Sequence, residues 1–126
     1  MDKPHEMVLR LSARQEDWLI ARMALSGLGM LAGLDADLIG DLQTAVNECC
    51  DCLLHQPVTP ETLVLSAHAG KGRLQFCFSA EGTAGQGPED ALDGEIARCV
   101  LETLLPEMRL ETDERGVYSI CGSLTE

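Results

Sequence analysis

Between Met7 and Ser12 the chain alternates, with Met7, Leu9 and Leu11 on one side and Val8, Arg10 and Ser12 on the other. That two-residue period predicts a half-buried strand. From about Glu16 to Ala32 the period lengthens, and Leu19, Ile20, Met23, Ala24, Leu28 and Leu31 recur at three- and four-residue spacing. This predicts an amphipathic helix stopped by Gly33, in which Gly27 and Gly29 lower helix propensity but permit close packing. Asp35 is placed to cap a second helix, whose stripe runs Leu38, Ile39, Leu42, Ala45, Val46, Cys49, Cys50 and Leu53 until Pro57 closes it.

Two strands follow, LVLSAHA and RLQFCFS, around a tight GKG turn. In the second, Leu74, Phe76 and Phe78 face one way and Arg73, Gln75, Cys77 and Ser79 the other. The glycine-dense segment AEGTAGQGPED predicts a mobile loop, EIARCVLETLL resumes a helical period up to Pro106, and MRLET and VYSICGS form a second hairpin through DERG. The order strand, helix, helix, two strands, loop, helix, two strands implies an α+β fold. It is a two-layer sandwich, a mostly antiparallel sheet with helices on one face. No internal repeat or linker divides the 126 residues, so residues 1–126 are expected to form one domain.

Charge narrows the function. Nine basic residues against 21 acidic ones leave a net −12 without any Lys/Arg cluster. Such a surface repels phosphate backbones and anionic membranes, so neither nucleic acid nor membrane is expected as a direct partner, whereas a basic protein would be attracted. The N-terminal MDKPHEMVLRLSARQEDW lacks an apolar signal core, and no run approaches the roughly 18 apolar residues of a membrane span. A cytoplasmic location is expected, with all six cysteines as free thiols. Cys77, Cys99 and Cys121 each stand alone among apolar residues, as small buried side chains do.

The stretch AVNECCDCLL sets Glu48 before Cys49, Cys50 and Cys52. Cys49 and Cys52 form a C-x-x-C, the pattern of a zinc half-site or a redox pair, so a thiol or zinc sensor is one functional alternative. Zinc needs two further ligands and no second pair exists, while redox pairs sit at helix N-termini and this one lies deep in its helix. Two of the cysteines fall on the apolar stripe, which favours buried small side chains and no metal. His55 could join Cys52 and Glu48 as a metal site; His5 and His68 read as surface residues. Trp18 and Tyr118 are the large amphipathic aromatics, Trp18 expected in the core.

The phrase ARMALSGLGMLAGLDADLIGDLQTAVNECCDCLL, with this element order, resembles the anti-sigma factor serine kinases of the RsbW and SpoIIAB type in the GHKL, or histidine kinase-like ATPase, superfamily. Ala45, Val46, Glu48 and Cys50 match the family's A-V-x-E-A-C-x-N-A helix. The resemblance implies the Bergerat fold, Mg-ATP bound through three motifs, and phosphorylation of a serine on an anti-anti-sigma protein or silencing of a sigma factor. In the first motif Glu48 stands as the general base, but Cys52 replaces the magnesium-binding Asn, and Asp51 points about 100° away. In the second, Ala80 replaces the adenine-recognising Asp, Gly82 is kept, and Ala84 replaces a glycine. In the third, Gly94 stands alone among Asp90, Asp93 and Glu95, whose charge would repel a triphosphate.

The resemblance thus implies a degenerate member: an anti-sigma-like regulator with no cofactor, acting by binding a sigma factor or an anti-anti-sigma-like protein. The alternative within the family is an active serine kinase using Mg-ATP and Glu48. The surface from Met7 through Leu31 is the implied partner face, with a homodimer possible on the same grounds.

Overall fold

The computed structural model describes residues 4–86, 99, 101–105, 107–114 and 116–126. The described elements are β1 (His5–Ser12), α1 (Trp18–Leu31, entered by a short 3-10 turn), α2 (Ala36–Leu54), β2 (Val58–Thr59), β3 (Thr62–Gly70), β4 (Arg73–Glu81), β5 (Gly85–Gln86), β6 (Arg109–Asp113) and β7 (Gly116–Thr125). Five of the strands form one sheet in the order β1-β3-β4-β7-β6, antiparallel at every junction. Register aligns the alternating patterns: Leu9, Leu65, Phe78, Ile120 and Leu110 lie in one row across the sheet. The adjacent row, Val8, Ser66, Cys77, Cys121 and Arg109, points to the opposite face because side chains alternate along a strand.

Both long helices cover the first face, α2 against β4 and β7, α1 against β3 and β4. The helix begins at the predicted cap, where the Asp35 carboxylate accepts the Leu38 N–H at 2.9 Å. Its stripe from Leu42 to Leu53 is buried as expected. Residues 101–104 are helical, and Leu101 and Leu105 join the same core. The first part of the helix predicted from EIARCVLETLL, and Gly94 with its acidic neighbours, lie outside the described residues.

α1 corrects the sequence reading. Its buried side chains are Ala21, Leu25, Leu28 and Gly29, while Leu19, Ile20, Met23, Met30 and Leu31 are exposed. Most of the stripe recognised from the sequence is therefore the outer face. Periodicity could not choose, because Arg22 is the one charged residue in a helix apolar on both sides. The choice falls to the face with small residues: a Cβ on Gly29 would come within 2.6 Å of Ile39, so glycine lets α1 close on α2. Gly27, expected to serve the same purpose, faces open space. The helix ends in a Schellman motif, with Gly33 at φ +84° and Leu34 N–H bonded to Gly29 O at 3.0 Å.

Three further expectations change. The segment predicted as a loop is ordered through Gln86: β4 reaches Glu81, and β5 pairs with β2, two short strands that periodicity cannot register. Residues 87–90 of that segment lie outside the described residues. Cys77 and Cys121 are not separate free thiols; they face each other in the β4–β7 ladder and form a disulfide. Cys99 is exposed rather than buried.

The assignment of α1's faces has a direct consequence. Leu25→Ala, which empties a fully buried site, should cost about 2–5 kcal/mol, whereas Met23→Ala should stay within about 0.5 kcal/mol. Urea denaturation of the two variants checks this, and equal losses would contradict it.

Candidate functional site

The positions matched to a nucleotide site start at the C-terminal half of α2. Glu48 and Cys52 are one turn apart, but their surroundings differ. Cys52 is 1% exposed and covered by Gln56, itself buried. The Gln56 amide donates to the Cys52 carbonyl at 2.7 Å and approaches its sulfur at 3.7 Å, while Gln56 Oε1 accepts the Val117 N–H at 2.9 Å. One side chain therefore ties the end of α2 to β7. Gly116 makes room for it: its φ of +109° suits glycine, and a Cβ there would stand 2.5 Å from Gln56 Oε1.

At the end of β4, Ala80 and Gly82 border a cavity of about 20 Å³, shared with Leu53, Pro60, Val117 and Tyr118. This is room for about one water, against the several hundred Å³ of a typical ligand site. Ala84 is exposed, and its N–H donates to the Thr59 carbonyl at 2.8 Å, continuing the β2–β5 pairing.

Glu48 belongs to a different space. It lines a groove of about 450 Å³ between α1 and α2, with Glu16, Arg22, Asn47 and Asp51. Trp18 Nε1 and Arg22 Nε, on α1 beside this groove, are buried without a hydrogen-bond partner among the described residues. The fold thus brings Ala80 and Gly82 together but gives Glu48 to another groove. Gln56, which no motif marked, is the residue that joins Cys52 of α2 to Val117 of β7; its sequence signal is a polar amide between an apolar stripe and Pro57.

Cys49, Cys50 and Cys52 are all buried. Burial pushes the Cys49 thiol well above its ordinary value, Cys50 to about 12 and Cys52 to about 11. The thiolate is the form that attacks disulfides, and burial disfavours it here. Nor does His55 turn towards them: its Nδ1 lies 2.7 Å from the Asp51 carbonyl and 3.1 Å from the Asp51 carboxylate. Among the described residues no three His, Cys, Asp or Glu side chains are grouped to hold a metal ion.

The largest unusual feature is the outer face of α1. Ile20 is 48% exposed, Leu19 52%, Leu31 65%, Met23 67% and Met30 71%. With Gly27 between them, they make an unbroken apolar stripe on a chain whose net charge is −12. Large contiguous apolar patches are uncommon on the surfaces of monomeric proteins. No described helix is long and apolar enough to cross a membrane.

No protein-family model and no curated protein matches the chain. Among solved structures it is similar to the crystal structure of the RsbU and RsbW domains of Rv1364c from Mycobacterium tuberculosis, with a TM-score of 0.64 and 21% identity. The match covers 97% of this chain and 31% of that one. The fold is RsbW-like. It is an α+β sandwich, its sheet here wholly antiparallel among the described strands.

Two measurements follow from the burial. In the native protein a thiol reagent should titrate Cys99 alone at neutral pH, and all four free cysteines only after denaturation. Gln56→Ala should destabilise by about 1–3 kcal/mol, since it strands the Val117 N–H; an unchanged urea midpoint would contradict the bridging role.

Proposed function

We propose that this protein is an anti-sigma-factor-like regulator that acts by stoichiometric protein binding through the outer face of α1, without Mg-ATP. The observation that carries this reading is the exposed apolar stripe of Leu19, Ile20, Met23, Met30 and Leu31. Its position agrees with the surface implied by the family resemblance, and the RsbW-like fold supports regulation of a sigma factor or of an anti-anti-sigma-like protein.

The partner's chemistry can be made more specific. Beside the stripe, the groove between α1 and α2 presents Glu16, Glu48 and Asp51. An apolar stripe edged by carboxylates fits an amphipathic helix whose apolar face is flanked by Lys or Arg. Such a partner would bury the methionines, which adapt to irregular surfaces, and neutralise part of the acidic edge.

The residues in hand do not suit Mg-ATP. A hard cation wants oxygen ligands, and the matching position is a buried, protonated Cys52. Ala80 offers no side-chain acceptor for an adenine amino group, and about 20 Å³ beside it is far too little for a base. Glu48, the residue that would act as base in a kinase, lines the other groove, away from Ala80 and Gly82. Protein binding therefore explains more of the molecule than catalysis does.

The reading is tested in two ways. Immobilised protein should retain a sigma factor or an anti-anti-sigma-like protein identified by mass spectrometry, and Met23→Asp should cut its affinity about tenfold or more without unfolding the chain. Recovery of neither partner, or equal affinity for the variant, counts against it. Mg-ATP should leave Tm unchanged, whereas a saturable rise, as linkage requires of a native-state ligand, would favour the kinase.

A further inference from the structure

The face of the sheet that carries no helix holds a second kind of site. Cys77 of β4 and Cys121 of β7 are adjacent in register, bonded to each other and half-buried on this face. They form part of the wall of an open groove of about 520 Å³. Arg73 and Arg109 line the same groove, two of only nine basic residues in the chain, and neither has an ion-pair partner among the described residues. Arg109 is the register partner of Cys121 across the β6–β7 ladder. Glu6 and Glu107 add carboxylates to the lining.

The two sulfurs are not equivalent. Cys121 has Arg109 beside it on the neighbouring strand, and the Ser119 hydroxyl lies 3.9 Å from its Sγ. A positive charge and a hydroxyl donor lower the energy of a thiolate at that atom, which makes Cys121 the better leaving group. Cys77 has Gln75 and Ser79 as its same-face neighbours along β4 and no charged residue opposite it on β3, where Ser66 stands.

The geometry points to a thiol-exchange site, in which a low-molecular-weight thiol carrying both carboxylate and ammonium groups forms a mixed disulfide on Cys77. Its carboxylate is held by Arg73 and Arg109, and its ammonium group by Glu6 or Glu107. The thiolate attacks Cys77 Sγ and the Cys77–Cys121 bond breaks. The electron pair leaves on Cys121 Sγ as a thiolate beside Arg109. A second molecule of the thiol then attacks the sulfur of the bound one. The product is the disulfide of the small thiol, and Cys77 leaves as a thiolate that takes a proton from solvent. Two thiols are oxidised and the protein cystine gains two electrons. In reverse, the Cys121 thiolate expels the small thiol from Cys77 and restores the bond. The buried Cys49, Cys50 and Cys52, protonated at neutral pH, take no part.

This assignment is independent of the binding role of α1, which lies on the other side of the sheet. The experiment uses the full chain purified in air, with reduced glutathione as the zwitterionic thiol and 2-mercaptoethanol as the neutral one, compared at equal thiolate concentration. Glutathione should open the disulfide about tenfold faster, and acid-quenched peptide mapping should find it on Cys77. Arg73→Ala should remove most of that advantage, slowing glutathione severalfold more than 2-mercaptoethanol. Arg109→Ala should slow both reagents severalfold, because it also removes the charge beside the leaving sulfur. Equal rates for the two thiols, an adduct on Cys121, no effect of either arginine, or a chain that carries no Cys77–Cys121 bond after aerobic purification would each overturn the assignment.

Discussion

The structure depends on burying one face of a five-stranded antiparallel sheet. The row Leu9, Leu65, Phe78, Ile120 and Leu110 cannot be left in water, at about 1.5–3 kcal/mol for each fully buried side chain, and α2 is the element that covers its centre. The α2 stripe supplies Leu42, Val46 and Leu53 as large groups with Ala45, Cys49 and Cys50 between them, so a straight helix can approach a twisted sheet. Phe76 and Phe78 stand edge to face at 6.0 Å beneath it. Cysteine here has the role of a small apolar residue, and the same burial that packs it suppresses its ionisation.

Once α2 is fixed, the remaining geometry is constrained. Gln56 emerges just past its end and finds the Val117 N–H and the Cys52 carbonyl, which fills the space between α2 and β7 with a hydrogen-bonded amide. Cys52 lies buried beneath that amide, and half-buried Ala80 lines the small cavity beside it.

The two faces of the molecule then carry different chemistry. On the helical side, α1 is held to α2 by its small residues, and its larger apolar side chains are turned outward. On the other side the sheet is polar, with Arg10 and Glu81 paired at 2.6 Å and Arg73 and Arg109 placed beside a disulfide. The sheet separates the exposed apolar stripe of α1 from the face that carries the Cys77–Cys121 bond, and β4 and β7 are joined there by their backbone ladder as well as by the sulfur bond.

Much of this was legible in the chain itself. Period-two alternation located the long strands, the Asp35 cap and the Leu38–Leu53 stripe located α2, and the order of elements implied the α+β sandwich. These signals are local, and each depends only on residues a few positions apart. Which side of α1 faces the core was not legible, since both sides are apolar and the decision rests on Gly29 meeting Ile39 and Leu42. Nor was the pairing of Cys77 with Cys121, 44 residues apart, or the separation of Glu48 from Ala80 and Gly82. Those are matters of register and helix placement, set by how distant segments pack, and only the assembled sheet and helices could decide them.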